Sequence, residues 1–424
     1  MSDVVHATSI AIWSIAAVAT AGVIVRPWRL PEAIWAVAGA ALLVGCGLLP
    51  WRAALAGVAS GLDVYLFLTG MMLLAELARA EGLFDWLAAV AVAQARGSPQ
   101  RLFWLVYAVG TVVTVFLSND ATAVVLTPAV YAATRAAGAA PLPYLYVCAF
   151  IANAASFVLP ISNPANLVVF DGRMPHLVGW LAQFALPSIA AIAATYVALR
   201  LTQRDTLRHE TIAAAVARPA LGRGGRWTAG GLAATALALL ACSAFDLQLG
   251  LPTFLCGAVT AAIILAANRK SPWPILRHVA WSVLPLVAGL FVLVEGLAHT
   301  GLIATLVQTL ATAAAVAPLK TALAVGLDTA IAGNLMNNLP VGLIAGSVLA
   351  AAPVAPAVSG AALIGVDLGP NLSVTGSLAT ILWLAAVRRE GQEVGALRFL
   401  ALGVVVMPPA LLAALAVLIA FGAG

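Results

Sequence analysis

The hydrophobic pattern of this chain is interrupted twice in the same way. One interruption reads Phe116-Leu-Ser-Asn-Asp-Ala-Thr122, and the other reads Gly333-Asn-Leu-Met-Asn-Asn-Leu-Pro340. Each is followed by a second polar interruption, at 161–166 and at 367–371. Backbone N–H and C=O groups cannot stay unpaired in lipid, so such breaks persist only where they are buried in protein or line a cavity. The pattern predicts two matching halves, each with two interrupted helices.

The composition predicts that the chain lies in a membrane. Hydrophobic residues make up 63% of the sequence and charged residues 9%, with a mean hydropathy of +1.05. A soluble domain has about 25% charged residues. The apolar segments are long and rich in Ala, Leu, Val and Gly, which favours helices over the short alternating strands of an outer-membrane barrel. The first residues lack a basic cluster, so we expect the first apolar run to be a retained span.

We predict an all-α polytopic membrane protein made of two repeats joined by a basic linker at 200–226. The first repeat, 1–199, has spans at 8–25, 32–49, 55–78, 143–170 (broken) and 177–199, with a short helix at 83–96 and half-helices at 101–117 and 121–137. The second, 227–424, has spans at 227–244, 251–267, 278–298, 355–387 (broken) and 398–422, with a short helix at 302–316 and a hairpin at 320–351. Each half-helix is near the lower length limit of about 17 residues for a span, which favours a re-entrant hairpin.

Like residues recur in the two halves at a nearly constant spacing. The spacing is 219 from Gly70 to Gly289, Glu76 to Glu295 and Gly82 to Gly301, 218 from Asn119 to Asn337 and Asp120 to Asn338, and 206 from Pro164 to Pro370. Five crossings per half is an odd number, so the second half must be inverted relative to the first. The predicted fold therefore has two inverted-topology repeats of five transmembrane helices, each with one re-entrant hairpin and one broken helix.

The basic residues predict the orientation. All but three of the 21 Lys and Arg residues fall on one side of the predicted topology, and the exceptions are Arg52, Arg173 and Lys320. Cytoplasmic loops carry the excess of Lys and Arg, so we expect the linker in the cytoplasm and both termini outside an inner (plasma) membrane. The net charge of +5 reflects this bias and predicts contact with membrane lipid, not with nucleic acid.

The two hairpin tips and the two breaks predict one polar chamber near the bilayer midplane. Helix ends at that depth expose C=O and N–H groups, which short polar side chains can satisfy. The candidate substrate-binding residues are Ser118, Asn119, Ser162, Asn163, Asn337, Asn338, Asn371, Ser373 and Thr375. In an alternative interpretation, Asp120 and Asn338 only cap the second arm of each hairpin. Neither tip contains Lys or Arg, which favours a neutral or cationic cargo over an anion.

Two carboxyl groups lie in or beside the breaks and are candidates for ion coupling, Asp120 and Asp367. A carboxyl group removed from water holds a proton more readily, which suits proton coupling, and sodium coordination is the alternative. The sequence has no phosphate-binding loop and no metal-ligand spacing. It therefore predicts no enzyme, no cofactor and no structural metal site, and the energy for any transport must come from an ion gradient or a partner.

At these motifs the chain closely resembles the arsenical pump membrane proteins, which are arsenite and antimonite efflux permeases of the ion transporter superfamily. The matching segments are Ser118-Asn-Asp120, Ile161-Ser-Asn163, Met336-Asn-Asn-Leu-Pro340, Gly365-Val-Asp-Leu-Gly-Pro-Asn371 and Gly376-Ser-Leu-Ala-Thr-Ile-Leu-Trp383. Pro164 and Ala165 depart from the pattern. The resemblance covers nearly the whole chain, and the second-half segments are the specific ones.

The resemblance implies export of arsenite and antimonite from the cytoplasm, in exchange for protons or with a cytoplasmic arsenite-stimulated ATPase where one is present. Arsenite near neutral pH is mostly an uncharged trihydroxide, which fits an amide-lined chamber. By motif, the tip residues are Asn119, Asp120, Asn337 and Asn338, and the broken-helix residues are Ser162, Asn163, Asp367 and Asn371.

Several alternatives stay open at this point. They are a sodium/proton antiporter, a silicic acid exporter of the same superfamily, and a channel subunit that needs the ATPase for all activity. Dicarboxylate carriers of the superfamily read Ser-Asn-Thr at both tips, and the second tip here, Asn337-Asn-Leu-Pro340, counts against them. The oligomeric state, and whether the moving part slides or rocks, are also open.

Overall fold

The structure is a computed structural model that describes residues 2–170, 174–213 and 220–421. Every regular element among these residues is helical, which confirms the all-α prediction. Arg173, the linker stretch 214–219 and the predicted end of the last span at 422 lie outside the described residues.

The helices of the first half alternate between long apolar segments and short pieces at the predicted breaks. They are α1 (Ser2–Val25), α2 (Glu32–Gly45), α3 (Trp51–Ser60), α4 (Leu62–Ala80), α5 (Leu83–Ala95), α6 (Pro99–Phe116), α7 (Asn119–Ala121), α8 (Thr127–Ala136), α9 (Pro141–Ala154), α10 (Pro164–Phe170) and α11 (Leu177–Thr202). A π-helical segment, Thr122–Leu126, joins α7 to α8, and a 3-10 turn, Pro160–Ser162, precedes α10.

The second half follows the linker helix α12 (Arg204–His209) with the same order of elements. Its helices are α13 (Arg223–Ala244), α14 (Gly250–Ala267), α15 (Trp273–His278), α16 (Val283–His299), α17 (Leu302–Val316), α18 (Pro318–Met336), α19 (Asn338–Ala351), α20 (Pro356–Leu368), α21 (Leu378–Arg389) and α22 (Ala396–Phe421). A 3-10 turn, Gly369–Asn371, follows α20. Both breaks predicted in each half therefore exist.

Length and hydropathy identify the helices that can cross a membrane. Among the described residues six single helices qualify, namely α1, α6, α11, α13, α14 and α22. Two bent pairs, α3 with α4 and α16 with α17, raise the number to eight, with bends of 46° and 74°. The chain is thus a multi-pass membrane protein, whereas ten spans, an inverted second half and re-entrant hairpins stay predictions.

Two pairs of helices, one from each half, end 219 positions apart, which is also the spacing of the glycine and glutamate pairs. The helices α1 and α13 end at Val25 and Ala244, and α11 and α22 end at Thr202 and Phe421. Gly70 and Gly289, which are paired at this spacing, each lie where a helix of one half closely approaches a helix of the other half. A Cβ atom at Gly70 would overlap the backbone of Thr253 in α14, and one at Gly289 would overlap the backbone of Ala36 in α2. Small residues allow this close approach of helix backbones in membranes.

The predicted pairing of the hairpin tips was wrong by one residue. Ser118 caps α7 by accepting a hydrogen bond from the Ala121 N–H, and Asn337 caps α19 by accepting one from the Leu339 N–H. Ser118 therefore corresponds to Asn337, and Asn119 to Asn338, at the same spacing of 219. Asp120 consequently has no amide counterpart in the second half, because Leu339 occupies that position.

The pairing of Pro164 with Pro370 was also wrong. Pro164 begins α10, whereas Pro370 lies in the 3-10 turn that follows α20. The residues before α10 and α21 are equivalent, since Asn163 accepts a hydrogen bond from the Ala165 N–H and Ser377 accepts one from the Thr380 N–H. The correct spacing for this part of the halves is 214, from Asn163 to Ser377.

Candidate functional site

The two hairpins and the two broken spans interlock. The first arm of each hairpin ends against the break of its own half, since Ser162 Oγ donates to the Val115 carbonyl at 2.9 Å and Asn334 Nδ2 donates to the Gly369 carbonyl at 2.9 Å. The second arm of each hairpin packs against the broken span of the other half, α19 against α10 and the π-helical segment against α21. The four interrupted elements therefore form one unit to which both halves contribute.

Asp367 is the carboxyl group at the centre of this unit. Its side chain is fully buried, and it accepts hydrogen bonds of 2.8 Å from Asn163 Nδ2 and of 2.8 Å from Ser156 Oγ. Both donors belong to the broken span of the first half, whereas Asp367 ends α20 of the second half. Hydrogen-bond donors at both oxygens satisfy a buried carboxyl group and fix its orientation.

A second buried network joins the same two spans beside Asp367. Asn153 Nδ2 donates to Asn371 Oδ1 at 3.0 Å and to Thr380 Oγ1 at 3.3 Å, and Ser377 Oγ donates to Asn153 Oδ1 at 3.3 Å. Asn371 in turn donates to the Phe150 carbonyl at 3.0 Å. Sequence analysis identified Asn371 but missed Asn153, Ser377 and Thr380. A signal for the last two existed, because they lie in the Gly376–Trp383 segment that carries the resemblance.

The second hairpin tip is bound to the second break through Asn334, which sequence analysis did not select. Ser373 Oγ donates to Asn334 Oδ1 at 2.6 Å, and Thr375 Oγ1 donates to the Asn334 carbonyl at 3.0 Å. Asn337 Nδ2 contacts the Thr375 carbonyl at 3.4 Å, and the Asn338 N–H donates to the Gly376 carbonyl at 2.9 Å. The tip and the break therefore share one hydrogen-bond network.

The first hairpin tip is organised differently. Asn119 Oδ1 accepts a hydrogen bond from the Asp120 N–H at 2.9 Å, and Ser118 caps the short helix that follows. The capping interpretation of Asp120 and Asn338 was therefore wrong, because Ser118 and Asn337 hold those positions. The Asp120 carboxyl is half-buried, and no side chain in the described ranges donates a hydrogen bond to it.

The predicted site residues divide into two classes by exposure. The buried ones are Ser118, Asn119, Ser162, Asn163, Asn337, Asn338, Asp367 and Asn371, and the half-buried ones are Asp120, Ser373 and Thr375. The first tip contacts α21 and the second tip bonds to the stretch just before it, so both lie against the second broken span. A direct meeting of the two tips stays a prediction.

The chemistry of this region is that of amides, hydroxyls and two carboxyl groups. Among the described residues, no Lys or Arg makes a hydrogen bond or ion pair with any predicted site residue. The described part of the chain also contains no cluster of three or more His, Cys, Asp or Glu residues that could hold a metal ion. Such a region can form many directed hydrogen bonds to a small uncharged solute and can take up a proton.

Comparisons with known proteins identify the relatives of this chain. The model of the CitMHS family, described as "Citrate transporter", matches residues 15–366. The arsenical pump membrane proteins of Escherichia coli and Yersinia enterocolitica are each 30% identical over 80% of this chain and 81% of the relative.

Among solved structures, the YdaH transporter of Alcanivorax borkumensis superposes with a TM-score of 0.57 at 17% identity, covering 87% of both chains. MtrF of Neisseria gonorrhoeae, described as illuminating a class of antimetabolite efflux pumps, gives a TM-score of 0.52 at 14% identity over 89% of this chain and 85% of MtrF. The similarity to these two solved structures concerns the fold alone.

Proposed function

Because the chain belongs to the arsenical pump membrane protein family of ion transporters, we propose that this secondary transporter exports arsenite and antimonite from the cytoplasm in exchange for protons. The family makes it a membrane transporter, not an enzyme. The proposal covers the cargo, the coupling ion and the direction of transport. It also covers the inner-membrane location and the cytoplasmic position of the basic linker.

One observation carries the choice of cargo: the breaks hold many polar side chains, and none of them has a Lys or Arg partner among the described residues. A tricarboxylate such as citrate would need cationic groups or unopposed helix N-termini to balance its charge. The helix N-termini at these breaks are already capped by the side chains of Ser118, Asn163, Asn337 and Ser377. Trivalent arsenite is an uncharged trihydroxide near neutral pH, so its hydroxyl groups can both donate to and accept from amides and hydroxyls. The half-buried Ser373 and Thr375 and the buried tip amide of Asn337 carry such groups, and hydrogen bonds link them to one another.

The two carboxyl groups take different roles in this proposal. Asp120 is half-buried, without a donor to its carboxyl group among the described residues, so it can bind and release a proton as access alternates between the two sides. Asp367 is fixed by Asn163 and Ser156, so it acts as a positioning residue that holds the two broken spans together. Export then follows when the hairpins and broken spans expose the site to one side and then to the other.

The test uses the purified full-length chain in proteoliposomes with an imposed pH gradient and no other protein. We expect wild-type protein to accumulate arsenite and Asp120→Asn to lose this uptake while its thermal unfolding is unchanged. Asp328→Asn is the matched control, because Asp328 is an exposed carboxylate on α18, and it should retain uptake. Equal uptake by wild type and Asp120→Asn would remove Asp120 from the mechanism.

The same vesicles distinguish the other candidate functions. Uptake driven by a sodium gradient and not by pH would replace the proton as the coupling ion. Citrate or silicic acid transport, with no arsenite transport, would reassign the cargo. A complete lack of uptake until an arsenite-stimulated ATPase is added would make the chain a subunit that depends on that partner.

A further inference from the structure

A cleft of about 720 Å³ lies away from the interrupted helices, where the end of α5, the beginning of α6 and the end of α11 meet. Three arginines line it, one from each element, Arg96, Arg101 and Arg200. The aromatic side chains of Trp104 and Tyr196 lie beside them. The proposed transport mechanism uses none of these five residues.

The positive charge of this cleft is unbalanced within the described chain. No acidic side chain lines it, and none of its three guanidinium groups makes a hydrogen bond or an ion pair with a described residue. Two other wall residues are held in place, since Gln100 Nε2 donates to the Leu207 carbonyl at 2.7 Å and Tyr196 packs edge-to-face against Tyr107 with ring centroids 5.1 Å apart. Three guanidinium groups with free donors in a fixed cleft form a site for a phosphate group.

Two apolar stripes lead away from the cleft. On α6, the helical face that begins at Arg101 continues through the exposed side chains of Trp104, Val112 and Phe116. On α11, the face that begins at Arg200 continues through the exposed Val197, Ile189 and Leu186. Residues three, four and seven positions apart share one face of a helix, so each stripe is continuous with its arginine.

The two helices run side by side, separated by aromatic rings. Tyr107 Oη donates to the Ile192 carbonyl at 2.6 Å, and Phe103 contacts Tyr196 with ring centroids 6.0 Å apart. Residue numbers rise along α6 as they fall along α11 in these contacts, so the helices are antiparallel and both stripes extend from the cleft in the same direction. A cationic end and two parallel apolar tracks match the shape of a two-chain phospholipid.

We propose that this cleft binds the phosphate headgroup of an anionic phospholipid such as phosphatidylglycerol, whose acyl chains lie along the stripes of α6 and α11. Arg96, Arg101 and Arg200 hold the phosphate, and Trp104 lies at the level of the headgroup and the first methylenes, where aromatic rings concentrate. A free phosphate ion would use the arginines but would leave both stripes unused. The bound lipid joins the base of the first hairpin to α11.

The test is lipid binding by the full-length protein in detergent, measured by native mass spectrometry as phosphatidylglycerol is added. Each basic side chain near an anionic headgroup contributes about fivefold in affinity, so Arg96→Gln/Arg101→Gln/Arg200→Gln should weaken binding roughly a hundredfold. The matched control is Arg269→Gln/Arg277→Gln/Arg389→Gln, which removes three exposed arginines away from the cleft and should change binding about twofold or less. Equal losses in the two triple variants would overturn the proposal.

A second measurement does not depend on the folding of the triple variant. The emission of Trp104 is obtained by subtracting the fluorescence of Trp104→Phe from that of wild type. Brominated phosphatidylglycerol should quench this emission, and brominated phosphatidylcholine should not. Quenching by both lipids to the same extent would overturn the proposal. So would displacement of phosphatidylglycerol by inorganic phosphate at micromolar concentrations, because the site would then belong to the free ion.

Discussion

Asn163 donates a 2.8 Å hydrogen bond to the buried carboxyl group of Asp367, which lies 204 positions further along the chain. The bond links the break of the first half to the end of α20 in the second half. Both side chains are almost completely buried, so water cannot replace either partner. The relative position of the two broken spans therefore depends on a polar contact in the middle of an apolar protein.

The first prediction concerns this bond. Asn163→Ala leaves Asp367 with Ser156 as its remaining donor among the described residues, so one carboxyl oxygen stays buried without a partner there. The expected cost is about 1–3 kcal/mol of unfolding free energy, the usual penalty for a buried unsatisfied polar atom. Thermal unfolding in detergent measures it, with Gln308→Ala as the control because Gln308 is an exposed amide on α17. If both variants unfold at the wild-type temperature, the bond does not hold the spans together.

The breaks and the all-helical class could be predicted from the sequence, because apolar spans and interrupted helices leave local signals. Asn163, Asp367 and Asn371 could be selected for the same reason, as polar residues at a break. Asn153 and Ser156 could not, since each is a single polar residue in an apolar run. Their role depends on the approach of a segment more than 200 positions away.

The register of the tips could not be read from the letters. Ser118-Asn-Asp and Asn337-Asn-Leu can be aligned in two ways that differ by one residue. One alignment pairs Asn119 with Asn337, and the other pairs the two capping residues, Ser118 and Asn337. The cap is decided by backbone angles and by the N–H group that the side chain meets, neither of which is a compositional signal. The structure aligns the caps, which leaves Asp120 without a polar counterpart.

The second prediction concerns the backbone of Asn337. This residue has φ of 76° and ψ of 150°, a region that is populated almost only by glycine and costs about 1–3 kcal/mol for other residues. Asn337→Gly should therefore unfold at a higher temperature than wild type, whereas Asn337→Ala should unfold at a lower one, having the strain without the cap. Both variants should transport arsenite more slowly, because both lack the amide. A stabilised Asn337→Gly with wild-type transport would show that the Asn337 amide does not contribute to transport.

The third prediction tests the contact between the second hairpin and the first broken span. A Cβ atom at Gly346 would overlap the Val168 carbonyl oxygen, whereas one at Gly342, a turn earlier on α19, would lie 3.4 Å from its nearest neighbour. Gly346→Ala should therefore destabilise the protein by about 1–3 kcal/mol, as overpacking usually does. Gly342→Ala is the matched control, and helix propensity should make it neutral or stabilising by up to about 1 kcal/mol. Equal unfolding temperatures for the two variants would mean that α19 and α10 do not approach this closely.

The last prediction concerns the linker, which crosses the base of the first hairpin. Glu210 accepts hydrogen bonds from the Ala140 N–H and, at 2.9 Å, from the Tyr144 hydroxyl at the start of α9, and the Ala213 N–H donates to the Ala137 carbonyl at 2.9 Å. A carboxylate at a helix N-terminus also gains from the helix dipole. Glu210→Ala should release the linker and make trypsin cleavage at its arginines several-fold faster. Asp205→Ala is the control, because its exposed carboxylate pairs only with Arg204 among the described residues, and such surface ion pairs contribute about 0–1 kcal/mol. Cleavage at the wild-type rate in Glu210→Ala would show that these hydrogen bonds do not fasten the linker to the hairpin.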